Sequence, residues 1–190
     1  MTSILLQQAE TLIAAAHNTG FLQSFEMAVR LCRTALSQGH KLLLIGNGGS
    51  AADAQHWAAE LVVRFQKDRQ ALPAIALSTD TSTLTAIGND FRFEDIFSRQ
   101  IEALGRPGDV LLAITTSGQS RNIRKACVCA QQQKVKVVGV TSSQTPQDFI
   151  DVCDVCLRAP AIETARIQEI HAIFGHALCA LLESSLFLKG

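Results

Sequence analysis

Apolar residues recur at helical spacing over residues 2–17 and again over 21–38, with Gly20 and Gly39 as stops. That pattern predicts two helices at the start of the chain. The period then changes. "KLLLIG" (41–46) is a short, unbroken apolar run ending in glycine, the pattern of a buried strand. Residues 50–66 return to helical spacing, with Ser50 placed to cap the helix start. "PAIAL" (73–77), "DVLLAIT" (109–115), "VKVVGV" (135–140) and "DVCDVCL" (151–157) read as further strands. A helix is predicted over "SRNIRKACVCAQQQ" (120–133), and a long one from about Glu163 to Leu186.

Apolar strands alternating with helices indicate βαβ units and a parallel sheet covered on both faces. No linker, repeat or low-complexity stretch interrupts the alternation. One α/β domain is therefore expected over residues 1–190. It has a helical N-terminal extension (about 1–39), a sheet core (about 40–160) and a closing helix (about 163–187). A chain of 190 residues suffices for one sizeable core and is short for two.

Charge adds an exclusion. Seventeen Lys and Arg balance seventeen Asp and Glu, so there is no global footprint for a nucleic-acid partner. No basic segment followed by an apolar one opens the chain, and no apolar run approaches membrane length, so a cytoplasmic protein without a membrane partner is expected. Of the six cysteines, Cys153 and Cys156 form a single C-x-x-C on the last strand. Free buried thiols are the expectation for all six, with a zinc or redox site at the C-x-x-C as the alternative.

In parallel sheets ligands bind beyond the carboxyl ends of the strands. Two turns there stand out. "GNGGS" contains Asn47, Gly48, Gly49 and Ser50, and "TTSGQS" contains Thr115, Thr116, Ser117 and Ser120. Glycine lets backbone approach a ligand, helix N-termini offer N–H groups, and small hydroxyls add donors. Neither turn is a Walker A loop, since no Gly-Lys-Ser/Thr follows, and the first lacks G-x-G-x-x-G spacing, so a dinucleotide is disfavoured. Capping turns are the plain alternative. Together the two turns favour a small phosphate ester held by neutral donors.

His56 and Glu60 share a helix face at i and i+4. "ARIQEIHAIFGHA" (165–177) offers Gln168, Glu169, His171 and His176. Imidazole, carboxylate and amide oxygen together suit a borderline metal such as zinc, and His and Glu also move protons near neutral pH. Asn89 and Asp90, in "IGNDFRFEDIFSRQI" (87–101), suit an Asx turn or helix cap, or recognition of polyol hydroxyls.

"GNGGSAADAQHWAAEL", "IGNDF", "GDVLLAITTSGQSRNI" and "ARIQEIHAIFGH" together resemble the phosphoheptose isomerases, members of the sugar isomerase (SIS) domain superfamily, over roughly residues 5 to 187. The resemblance implies a flavodoxin-like, three-layer α/β/α sandwich with a five-stranded parallel sheet. It implies a cytoplasmic homotetramer that converts sedoheptulose 7-phosphate to D-glycero-D-manno-heptose 7-phosphate for bacterial envelope polysaccharide. By matching position, Asn47, Gly48, Gly49, Asn89 and Asp90 would line the substrate. Thr115, Thr116, Ser117 and Ser120 would hold the phosphate, with Ser50. His56, Glu60, Gln168 and His176 would hold zinc, with Glu60 and His176 as the acid–base pair. Two departures stand out: Ala165 replaces a frequent Asp, and "VTSSQTPQDF" replaces a glycine-rich turn after the fourth strand. A non-catalytic relative that binds the replication initiator protein is the alternative, and the intact acid–base set argues against it.

Gln168 and His176 lie eight residues apart, about 12 Å along one helix and roughly 80° around it. Metal bonds of about 2 Å bridge such a gap awkwardly. That geometry suggests an active site at a subunit interface, with residues drawn from neighbouring chains.

Overall fold

The computed structural model describes residues 2–187. Helices α1 (Thr2–Ala16) and α2 (Thr19–Ser37) form the N-terminal extension, and the Asn18 side chain caps α2 by accepting from the Phe21 N–H. Next come β1 (Leu42–Gly46), α3 (Gly49–Val62), β2 (Ala74–Ala76), α4 (Thr81–Asp90), a 3-10 turn (Phe93–Asp95) and α5 (Ser98–Leu104). The second half runs through β3 (Val110–Ile114), α6 (Arg121–Gln132), β4 (Lys136–Ser142), α7 (Gln147–Ile150), β5 (Val155–Ala159) and α8 (Thr164–Phe187). All five strands pair in parallel, in the order β2-β1-β3-β4-β5. This is the expected three-layer α/β/α sandwich.

Both faces are apolar because successive strand residues point to opposite sides. Leu42, Leu44, Leu112, Ile114, Val138 and Val140 pack with α2, α3 and α8. Leu43, Ile45, Leu111, Ala113 and Val137 pack with α5 and α6. Each fully buried Leu or Ile in these layers stabilises the fold by about 1.5–3 kcal/mol.

Several boundaries differ from the pattern-based expectation. Gly48 is the N-cap of α3, so Ser50 lies inside the first turn. The helix stops at Val62, short of residue 66. Its last carbonyls are taken by Arg69, which donates to Glu60 O at 2.9 Å and Leu61 O at 2.8 Å. Strand β5 begins at Val155, since the preceding turn is pinned by Asp154, whose carboxylate accepts from the Val137 N–H and Lys136. Asn89 and Asp90 end α4 and cap no helix; Asp80 caps it instead. Helix α8 would pass for a membrane-spanning helix by length and mean hydropathy alone, a test that the core helix of a globular fold also passes. Here it packs inside the fold, burying Ile167, Ile170, Phe174, Leu178 and Leu182.

Candidate active site

Strands β1 and β3 are neighbours, yet β1 leads into α3 on one face and β3 into α6 on the other. A crevice opens at such a switch point. A cavity of about 120 Å³ occupies it, lined by Asn47, Ser50, Thr115, Thr116, Ser117 and Ser120, with Ile114 and Gln168. The two turns singled out in the sequence therefore meet, and the donors they present are neutral.

Helix starts differ in how they are capped. Asn18 and Asp80 cap α2 and α4 with side-chain hydrogen bonds. At α3 and α6 the caps are Gly48 and Ser120, and neither supplies a side-chain bond. Residues at both helix starts line the crevice, and the positive end of a helix dipole suits an anion. Gly48 adopts φ +54° and Gly118 φ +67°, which side-chain-bearing residues rarely accept. Thr145 and Pro146, from the departing loop, pack against Gly118 and buttress the turn.

Asn47 is held by a residue that pattern reading passed over. Asn122 and Asn47 exchange amide hydrogen bonds of 2.9 and 2.8 Å. Asn122 is buried one residue inside α6, and only its place directly behind a candidate turn pointed to it.

Helices α3 and α8 run side by side in the same direction. At one end the Gln168 amide lies against Gly49, where an added Cβ would sit 2.5 Å from its nitrogen. About two turns further along α8, Gly175 receives the Trp57 indole, and any Cβ there would overlap the indole nitrogen. At the same level, His56 Nε2 lies 2.9 Å from His176 Nε2 and 3.7 Å from Glu60 Oε1. Donor atoms of the three residues fall within 4.8 Å of one another. A single chain thus assembles this triad, and no neighbouring subunit is required for it. Ligands on a tetrahedral zinc with bonds of about 2.0–2.1 Å lie about 3.3 Å apart. The two closest spacings bracket that value, and two imidazoles with a carboxylate are suitable donors, so the triad fits the ion.

Surrounding groups set the triad's orientation. Burial raises the Asp53 carboxyl above its usual range, and His56 one turn on works against that rise. The Phe65 ring lies 5.8 Å from the His176 ring. Its loop is clamped by Glu183, which accepts from the N–H groups of Phe65, Gln66 and Lys67 and from Arg69 Nε. Burial alone would raise the Glu183 carboxyl; the three N–H groups and the Arg69 guanidinium outweigh it and hold the group below the usual range. Arg69 links this clamp to the Glu60 carbonyl.

Gln168 is not gathered into the triad: its amide belongs to the crevice end, about two helical turns from His176. Asn89 and Asp90 are exposed, bonded to each other at 2.8 Å, and absent from the crevice lining. His171 is a core residue whose Nε2 meets the Thr141 carbonyl at 2.9 Å. Burial lowers its pKa to about 4, with the Thr141 bond opposing.

Comparison with known proteins bears on the fold and the family. Residues 6–142 match the family model described as SIS domain. A phosphoheptose isomerase of Rhodospirillum rubrum is 50% identical over 159 residues, covering 84% of each chain. One of Paramagnetospirillum magneticum is 49% identical over 180 residues, covering 95% of this chain and 92% of its own. The structure of a phosphoheptose isomerase from Neisseria gonorrhoeae superposes with a TM-score of 0.88 at 39% identity, over 96% of both chains.

Proposed function

Because this chain belongs to the phosphoheptose isomerases of the SIS domain family, we propose that it interconverts the ketose sedoheptulose 7-phosphate and the aldose D-glycero-D-manno-heptose 7-phosphate. One observation carries the assignment of roles. The α3/α8 pair presents a neutral anion cradle at one end and a His/Glu triad at the other, about 12 Å along α8. An open-chain sugar of seven carbons, with bonds of about 1.5 Å, spans on the order of 10 Å from carbonyl to phosphate. Phosphate in the cradle puts C1 and C2 beside the triad.

Thr115, Thr116, Ser117, Ser120 and Ser50 bind the phosphate, with Gln168 closing over it. Asn47 orients the sugar, and Gly48 and Gly49 keep the wall low. Asn89 and Asp90, on the surface, are assigned to substrate hydroxyls by family resemblance alone. The phosphate end supplies binding energy that positions the reacting carbons. Glu60 takes the proton from C1 and returns it to C2 through an enediol. His176 protonates the C2 oxygen and receives the proton from the C1 oxygen. His56, Glu60 and His176 would hold zinc, which when bound polarises the carbonyl.

The reading includes a cytoplasmic homotetramer serving heptose supply for envelope polysaccharide, with active sites near subunit interfaces. Exposed Ile4, Leu5, Leu6 and Ile13 on α1, with Ile173 on α8, support burial against further copies. The initiator-binding alternative is not favoured, since the triad is assembled and the close relatives carry an enzyme's name.

An NMR assay of purified protein with sedoheptulose 7-phosphate, and with fructose 6-phosphate in parallel, tests the assignment. Conversion of the heptose ester is expected; its absence with zinc restored would overturn the reading. Elemental analysis and light scattering check the ion and the tetramer.

A further inference from the structure

The C-x-x-C is the one sequence motif that the isomerase site does not absorb. Its cysteines are not fully buried, unlike the other four. Cys156 lies on β5, the edge strand, and Cys153 in the turn before it. Both sulfurs converge on Gly139 of β4. A Cβ there would stand 2.7 Å from Cys153 Sγ and 3.5 Å from Cys156 Sγ, so the glycine makes the room in which the thiols meet. Cys156 Sγ also lies 3.4 Å from Thr141 Oγ1. An open cavity of about 330 Å³ lies along this edge, lined in part by Cys156 and Arg158.

The two thiols are electronically unequal. The Cys153 contact, then Thr141 and Arg158, lower the Cys156 thiol against the opposing effect of burial. The same contact and burial raise Cys153, which keeps its proton. Elsewhere burial raises Cys32 and Cys179 to about 12 and also raises Cys127 and Cys129, leaving them inert.

We infer that Cys153 and Cys156 form a modification site, a dithiol that hydroperoxides oxidise to a disulfide. The Cys156 thiolate attacks the O–O bond, which breaks to give Cys156 sulfenic acid and release hydroxide or alkoxide. The Cys153 sulfur then attacks the Cys156 sulfur. Water leaves with the Cys153 proton, and two electrons have passed from the dithiol to the peroxide. Such pairs in reducing compartments are transient and redox-sensing.

The test uses the reduced full chain, freed of reductant and treated with hydrogen peroxide. Non-reducing peptide mapping is expected to show a Cys153–Cys156 link, with Cys32, Cys127, Cys129 and Cys179 still thiols. Iodoacetamide at neutral pH should label Cys156 about tenfold faster than Cys153. In Cys153→Ser, dimedone should trap the sulfenic acid at Cys156. A map without that link, or equal labelling of the two thiols, overturns the proposal; the wild-type map stands even if the variant misfolds.

Discussion

The two ends of the α3/α8 pair are built by different means. The crevice end is made largely of backbone: Gly48, Gly118 and two helix starts without side-chain caps, with short hydroxyl side chains around them. The triad end is made of exposed side chains, and only the approach of two helices brings them together. Backbone tolerates loss of any one donor, because others remain. A triad of single side chains does not. On the proposed assignment, chemistry is concentrated where substitution is least forgiving, and binding where it is most forgiving.

The contrast is broken most sharply at Glu60. Glu60→Gln keeps the shape but removes the base, and a loss of about 10²–10⁴ in kcat is expected with folding unchanged. Activity within a few-fold of the parent would remove Glu60 from the mechanism. His171 tests the scaffold between the ends. Its folded pKa, about 4, lies below the usual His value, so the unfolded chain takes up the proton first as pH falls. Stability should be intact above about pH 6.5 and fall by about 3 kcal/mol on descending to about pH 4. Urea titrations across that range should show the slope, and His171→Gln should flatten it.

Gly175→Ala forces the helices apart at Trp57, which should cost about 1–3 kcal/mol of stability. It should also lower kcat more than it raises KM, since the triad end opens first. Adding Trp57→Phe should restore part of both; no change in either quantity would mean that the approach is not set there. The smallest effects belong to the cradle. Ser117→Ala and Ser120→Ala should each weaken substrate binding by about 0.5–1.5 kcal/mol, seen in KM with kcat retained. A fall in kcat instead would show that the two ends are not separable.

Legibility in the sequence follows the same division. Period and glycine position revealed the strands and both turns, because the backbone's needs are local. His56 with Glu60 was visible as an i, i+4 pair. Trp57 against Gly175, Asn122 against Asn47, and Glu183 beneath the 65–67 loop were not, since each joins residues more than 70 positions apart. Within 81–104 only Asn89 and Asp90 drew a reading; the helices there went unpredicted because they are short and mostly exposed, leaving little apolar period to read. The shared-subunit argument treated Gln168 and His176 as ligands of one ion. The structure puts Gln168 at the crevice and His176 in the triad, so on the proposed assignment the uncomfortable gap is the length of the site itself.

That gap makes the helix pair a ruler. Each residue between Gln168 and His176 moves the triad by about 1.5 Å and turns it by about 100° relative to the cradle. Small adjustments of length therefore point the imidazole away before they lengthen the span. A change of four residues leaves the imidazole about 40° off and one of seven, two turns, about 20° off, so only near-integral turns keep both ends facing the same groove. On the proposed assignment, the span between phosphate and triad therefore changes in steps of one helical turn, about 5.4 Å, and not continuously.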